Sequence, residues 1–154
     1  MMVRPELIRR KLSSLAGYLT ELEAFRGLGF DAYAGPGGPR RTVERLLQLI
    51  VEVASDINTH VVTELEGRPP GEYRESFRAA VRTGLLPGSL ARRLEPAAGL
   101  RNMLVHEYEG VDDRLVHGAI PLALEDFAEY SRQVERWLEE HHPAQSGTGN
   151  EVHG

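Results

Sequence analysis

Residues 40–66 read RRTVERLLQLIVEVASDINTHVVTELE, and apolar side chains recur through them at the three- and four-residue spacing of an α-helix. The main apolar stripe consists of Val43, Leu46, Leu47, Ile50, Ala54, Ile57 and Val61. Leucine at 49 and valines at 51, 53 and 62 widen the stripe until it covers most sides of the helix. A helix this apolar must be buried by several neighbours, so the segment predicts the interior of an all-α bundle.

Further helices are predicted on both sides of this segment. Apolar residues at helical spacing predict a first amphipathic helix over about residues 5–26. Glycines and prolines predict a loop at 35–39 and a break in the chain at 67–71. A short helix is predicted after the break, over about residues 72–83, because Gly84 and a nearby proline would end it.

Two prolines indicate where the later helices begin or are divided. Pro96 disfavours helical geometry at the residue before it, so a helix is predicted to restart there and to continue through His106. The last helix is predicted from an aspartate cap at 112 or 113 to about residue 140, with a division at Pro121. No segment shows sustained two-residue alternation, so no strand is predicted.

Length and composition predict one globular domain. The chain has 154 residues, of which 41% are hydrophobic and 27% are charged, and we assign its domain to residues 1–142. The polar residues 143–154 are predicted to form a disordered tail. The absence of cysteine excludes disulfides and thiolate metal sites, and no metal or cofactor motif is present, so neither is expected. Without a signal peptide or membrane-spanning run, a cytoplasmic location is expected.

The net charge of −5 is unevenly distributed along the chain. Residues 68–106 hold seven basic and three acidic side chains, whereas residues 107–154 hold three and eleven. The candidate RNA-binding side chains of the basic segment are Arg74, Arg78, Arg82, Arg92 and Arg93. A basic stripe of this kind would attract a phosphate backbone. The alternative is a solvated arginine face that the acidic C-terminal third neutralises.

The basic segment ends in the octapeptide RNMLVHEY at residues 101–108. It combines a guanidinium at Arg101, a carboxamide at Asn102, an imidazole at His106 and a phenol at Tyr108. Such groups can position a phosphate and move a proton at neutral pH. We therefore take Arg101, Asn102 and His106 as candidate catalytic residues.

The octapeptide resembles the R-x-x-x-x-H-x-Y motif of HepT-like HEPN-domain proteins, which are toxin ribonucleases of prokaryotic toxin–antitoxin pairs. Residues 42–48 and 52–60 resemble the second helix of that family, and residues 73–77 resemble the short helix that follows it. The resemblance covers most of residues 5–140. It implies an all-α, HEPN-type antiparallel bundle with additional short helices, a homodimer, an RNA substrate and a minimal nucleotidyltransferase as antitoxin in a type VII system.

Helix geometry by itself argues for a site shared between two chains. Arg101 and His106 are five positions apart, so on one regular helix their side chains diverge by roughly 140°. Either the helix end is distorted, or two motif helices face each other across a twofold axis and each supplies part of the site. The dimer is the preferred prediction. Asn102 lies four residues before His106 and could orient its imidazole.

The predicted reaction is metal-independent RNA cleavage, in which the 2′-hydroxyl attacks the adjacent phosphorus. His106 would act as general base on that hydroxyl or as general acid on the leaving 5′-oxygen. Arg101 would bind the phosphate and stabilise the charge that builds on its oxygens.

Two further residues have predicted supporting roles. The resemblance assigns Tyr108 as the residue that the antitoxin adenylylates, and the added bulk and charge would block the cleft. A half-buried packing role is the alternative for this tyrosine. Asp56 belongs to a polar ladder at four-residue intervals along residues 44–60. It could pair with a motif arginine or hold a histidine, or the ladder could be a solvated helix edge.

Two other functions remain open at this point. One is a catalytically silent HEPN adaptor that binds a nucleotidyltransferase or a nucleotide, and the other is a plain structural module of four helices. The ribonuclease is the preferred prediction. Growth arrest on expression of the chain alone would distinguish it from the silent adaptor, whereas a nucleotidyltransferase in the neighbouring reading frame would support either.

Overall fold

The computed structural model describes residues 2–106 and 110–143, and these residues fold into six helices. The helices are α1 (Pro5–Glu23), α2 (Phe30–Ala34), α3 (Arg40–Glu66), α4 (Tyr73–Arg82), α5 (Gly88–His106) and α6 (Asp113–His141). No strand occurs within the described residues. The predicted all-α bundle with additional short helices is confirmed.

Helix α3 occupies the centre of the bundle and packs against α1, α4, α5 and α6. Ile50, Ala54, Ile57 and Val61, which belong to the predicted stripe, are completely buried. Residues of the widened stripe, such as Val51 and Val62, are buried as well. One hydrophobic cluster joins side chains from all six helices. The apolar pattern of α3 is therefore the reason that the other helices collect around it.

Both prolines lie within continuous helices, so the predicted restart at Pro96 and division at Pro121 are wrong. Each proline is exposed on the outer side of its helix. The carbonyl that loses its hydrogen-bond donor there can be hydrated, and the buried residues Leu94, Leu100 and Leu124 hold the helices on both sides of the prolines. The stabilisation from tertiary packing thus exceeds the free-energy cost of a proline inside a helix, which is about 3 kcal/mol.

The ends of the helices differ from the sequence prediction in two further places. Helix α1 ends at Glu23, and residues 24–27 form turns, whereas the sequence predicted a helix to about residue 26.

The five-residue helix α2 was not predicted, because a single turn is too short to show helical periodicity. It buries Tyr33 completely. The predicted cap at Asp112 is present, with Oδ1 accepting the backbone N–H of Arg114 at 3.0 Å.

A buried hydrogen-bond network joins α6, α3 and α4. The Tyr130 hydroxyl lies 2.7 Å from Asn58 Oδ1 and 2.9 Å from the Ala54 carbonyl oxygen. Ser55 donates to Ser76 Oγ at 2.9 Å, and Ser76 in turn donates to the carbonyl of Tyr73 at 2.8 Å. Burial raises the pKa of Tyr130 well above its usual value, so the phenol keeps its proton and can donate it.

We expect Tyr130→Phe to destabilise the fold, because Asn58 Oδ1 and the Ala54 carbonyl would lose their shared donor inside the core. The expected loss in the free energy of unfolding is about 1–3 kcal/mol, measured by urea denaturation. Tyr18→Phe is the matched control, since Tyr18 is half-buried and makes no hydroxyl hydrogen bond within the described residues. Equal stability of the two variants would contradict a role for the network.

Candidate functional site

The guanidinium of Arg101, near the end of α5, is bound by a carboxylate of α3. Its Nε and Nη2 both donate to Glu52 Oε2, at 3.0 and 2.7 Å. The side chains of Arg101 and Glu52 are 13% and 26% exposed, so the ion pair is largely shielded from water. Charge-assisted hydrogen bonds in such an environment are strong and fix geometry.

Three other side chains complete the surroundings of Arg101. The Tyr73 ring, at the start of α4, lies with its centroid 4.2 Å from the guanidinium carbon, a cation–π contact. Gln48 Nε2 donates to Glu52 Oε2 at 3.0 Å, so this oxygen receives donors from two residues. Arg101 Nη1 lies 3.4 Å from Asn102 Oδ1. Asn102 thus contacts Arg101, while the hypothesis from sequence paired it with His106.

His106 is the last residue of α5 and is exposed. Helix α5 is α-helical up to this residue, so the distorted helix end considered from the sequence is not present. On a regular helix the side chains of Arg101 and His106 diverge by roughly 140°. A single chain therefore does not direct both groups at one atom. Tyr108 lies outside the described residues, as do its two neighbours in the chain.

The structure places Asp56 away from the motif. Its side chain is 61% exposed, and Oδ2 lies 3.6 Å from Lys11 Nζ of α1. Glu52 lies one turn earlier on α3 and makes the contact with Arg101 that was considered for Asp56. The sequence signal that could have identified Glu52 is a carboxylate on a helix predicted to be buried on most sides. Such a carboxylate needs a cationic or hydrogen-bonding partner.

Carboxylates neutralise three of the five arginines of the basic stripe. Arg78 pairs with Glu95 at 2.8 Å, and Arg82 pairs with Glu66 at 3.0 Å. Arg93 contacts Asp126 and Glu129 of α6 at 3.3 and 2.8 Å. Arg92 is exposed near the start of α5. These pairs fit the alternative of a neutralised arginine face for most of the stripe.

Arg74 differs from the rest of the stripe because it lies beside the motif. Its guanidinium crosses α5 at Gly99, where a Cβ atom would come within 2.1 Å of Arg74 Nη2. The missing side chain of Gly99 therefore makes room for this guanidinium. Within the described residues Arg74 forms no salt bridge, so its charge is available next to Arg101.

A groove of about 570 Å³ lies between α5 and α6, with side chains of α3 also lining it, and we call it the α5–α6 groove. Its apolar walls include Pro96, Ala97, Met103, Leu115, Ala119 and Leu122, and Arg74 and Arg101 also line it. Leu115 and Leu122 are 53% and 60% exposed. Exposed leucines beside an apolar groove are typical of a protein interface.

Among residues 2–106 and 110–143, the histidine, aspartate and glutamate side chains form no cluster of three that could hold a metal ion. No helix in the same part of the chain is both long enough and apolar enough to cross a membrane.

The chain is similar in sequence to ribonucleases. The family model described as Ribonuclease HepT-like matches residues 15–134. A tRNA nuclease HepT of Aphanizomenon flos-aquae is 35% identical over 139 residues, which cover 88% of this chain and 92% of the relative. An mRNA nuclease HepT of Shewanella oneidensis is 30% identical over 84 residues, which cover 54% and 63% of the two chains.

A solved structure shows the same fold at lower sequence identity. It is the tri-AMPylated HEPN toxin of Shewanella oneidensis in complex with the MNT antitoxin. Its superposition gives a TM-score of 0.74 with 23% identity, and it covers 84% of this chain and 96% of the toxin. At this identity the likeness shows the fold alone.

Proposed function

We propose that Arg101 and His106 form the RNA-cleaving site of this chain, which belongs to the HepT-like ribonuclease family. The chain is an endoribonuclease by this membership, and relatives named as tRNA and mRNA nucleases support RNA as the substrate. The observation that carries the assignment is the guanidinium of Arg101, held by Glu52 and Tyr73 at the edge of the α5–α6 groove. We also propose a cytoplasmic location, where the RNA substrate is available.

The side chains of the motif can supply each step of the cleavage. His106 accepts the proton of a ribose 2′-hydroxyl, the 2′-oxygen bonds to phosphorus, and the bond from phosphorus to the 5′-oxygen breaks. The leaving 5′-oxygen takes a proton from a second imidazole. Arg101 stabilises the negative charge on the phosphate oxygens. We propose that this reaction needs no divalent ion and does not cut DNA, which lacks the 2′-hydroxyl.

A second copy of the chain is the proposed occupant of the α5–α6 groove. Arg101 and Met103 of α5 line the groove, so a copy docked there brings its own motif helix close to this one. That arrangement lets Arg101 of one chain and His106 of the other reach the same phosphate, which one helix cannot do. The exposed Leu115 and Leu122 would be buried by the contact.

We expect Leu122→Glu to convert the dimer into a monomer, because a carboxylate would enter an apolar interface. Light scattering of the wild type should give twice the chain mass of 17.1 kDa, and the variant should give 17.1 kDa. The matched control is Leu65→Glu, which changes a leucine of similar exposure on α3. A wild type that is monomeric at micromolar concentration would contradict the shared site.

Arg74 is the proposed additional phosphate contact of the site. It lies over Gly99 beside Arg101 and forms no salt bridge within the described residues. Arg78, Arg82 and Arg93 already bind carboxylates, so they would contribute less to RNA binding. Arg92 remains a candidate for RNA binding because it is exposed.

We expect purified, unmodified protein to cleave RNA in the presence of a chelator. Arg101→Ala and His106→Ala should each lower the rate about 10²-fold or more, measured by gel analysis of a labelled RNA. Cleavage that requires a divalent ion, or that survives both substitutions, would overturn the mechanism. An intact, dimeric wild type that cuts no RNA would instead favour the silent adaptor.

In the same assay, two arginine variants distinguish a direct phosphate contact of Arg74 from an effect of the overall charge of the protein. Arg74→Ala should raise the KM for RNA, whereas Arg78→Ala should change it little, because Glu95 already neutralises Arg78. Both substitutions remove one positive charge from α4, so an equal effect would show that only net charge matters.

A nucleotidyltransferase antitoxin is the proposed partner, and Tyr108 is the proposed site of its action. The structurally similar Shewanella toxin is AMPylated and bound to its MNT antitoxin. In this sequence Tyr108 follows His106 by two residues and is surrounded by acidic residues, which would suit an enzyme that brings ATP with magnesium. An adenylyl group there would obstruct the route of RNA to His106.

We expect intact-mass spectrometry, after co-expression with a cognate nucleotidyltransferase, to show one or more adenylyl groups on the peptide that contains Tyr108. Tyr108→Phe should stay unmodified and escape neutralisation, so that it arrests growth even with the antitoxin present. Tyr73→Phe is the control, because it removes a half-buried phenol that lies over Arg101 and keeps the ring. If the antitoxin silences Tyr108→Phe as well as wild type, inhibition works by binding alone.

A further inference from the structure

We propose that Glu52 is a positioning residue, which together with the Tyr73 ring fixes the guanidinium of Arg101 in the orientation that receives the scissile phosphate. The inference rests on the proposed function of Arg101 in RNA cleavage. It adds a residue of α3, outside the motif at 101–108, to the machinery of the reaction.

The contacts leave one edge of the guanidinium open. Glu52 Oε2 accepts from Nε and Nη2, which occupies the edge that those two nitrogens form. The Tyr73 ring covers one face. Among residues 2–106 and 110–143, the edge formed by Nη1 and the second hydrogen of Nη2 has one hydrogen-bond contact, which is Asn102 Oδ1 at 3.4 Å from Nη1. A phosphate can therefore bind two N–H groups of Arg101 while Glu52 keeps its hold on the other edge.

The contacts of Glu52 and Tyr73 with Arg101, which we call the clamp, favour the reaction because they order the guanidinium before RNA binds. A free arginine side chain samples many rotamers, and part of that rotamer entropy is lost whenever it binds a phosphate. Arg101 is only 13% exposed and is held by Glu52, so this rotamer entropy is lost during folding, before RNA binds. A charge that is in place before the transition state forms needs no reorganisation when the phosphate charge develops.

The clamp is itself held in place by the core of the bundle. Glu52 lies between the buried residues Val51 and Val53 on α3, and Gln48 donates to the same oxygen that binds Arg101. Ser76 donates to the carbonyl of Tyr73 at 2.8 Å and joins it to the buried network. The position of the guanidinium is thus set by α3 and α4 as well as by α5.

The first experiment measures kcat and KM for RNA cleavage by Glu52→Gln. We expect kcat to fall about 10- to 100-fold with a smaller change in KM, because the guanidinium remains but loses its fixed orientation. Asp56→Asn is the matched control, since it neutralises the carboxylate one turn later on α3, which is exposed and bound to Lys11. It should keep wild-type kcat. An increase of kcat in Glu52→Gln would show that Glu52 restrains Arg101, and would overturn the proposal.

The second experiment uses chemical rescue. In Arg101→Gly, millimolar guanidinium should restore part of the cleavage, because Glu52 and Tyr73 still form a site for the free cation. In the double variant Arg101→Gly, Glu52→Gln, the same guanidinium should restore nothing. This double variant has no unpaired buried charge, so it is expected to fold even if Glu52→Gln does not. Equal rescue of both proteins would overturn the positioning role.

Failure of the inference and failure of the proposed function give different results. If Arg101→Ala and His106→Ala cleave RNA like wild type, the proposed active site is wrong. If both are inactive but Glu52→Gln keeps wild-type kcat, the active site stands and only the positioning role of Glu52 fails.

Discussion

Helix α3 is packed against four other helices, and this burial decides where polar groups can lie in the molecule. A polar atom on a buried helix must find a partner or carry the full cost of desolvation. Three polar side chains of α3 do so by bonding to other helices. Asn58 bonds to Tyr130 of α6, Ser55 to Ser76 of α4, and Glu52 to Arg101 of α5. The hydrogen bonds that satisfy the core therefore also connect the helices that carry the site.

Much of the fold could be predicted from the sequence, because apolar periodicity is a strong signal in long helices. The two prolines misled the prediction, since the local cost of proline is known from the sequence while the packing that offsets it is not. Helix α2 could not be predicted, because five residues show no period.

For the site, the sequence indicated the residue types of the motif but not the carboxylate that binds Arg101. The ladder on α3 offers a polar residue at every turn, and neighbouring rungs differ by only about 6 Å along the axis. Whether Glu52 or Asp56 reaches Arg101 depends on the register of α3 against α5, which no periodicity determines. The sequence could not show which arginines form salt bridges for the same reason. Helix packing brings Glu95 to Arg78 and Asp126 to Arg93.

The pairing of the arginines also explains how an acidic protein can act on RNA. A net charge of −5 opposes binding at long range, and the salt bridges of Arg78, Arg82 and Arg93 reduce the attraction of most of the basic segment. Arg74 lines the α5–α6 groove and forms no salt bridge within the described residues, so it leaves an unpaired positive charge in the groove that also contains the Arg101–Glu52 pair. Weak attraction over the surface with strong attraction at one place favours phosphates that reach the site over phosphates elsewhere. Selectivity would then depend on the shape of the cleft between the two docked copies and on the contacts of Glu52 and Tyr73 with Arg101, more than on the overall charge of the chain.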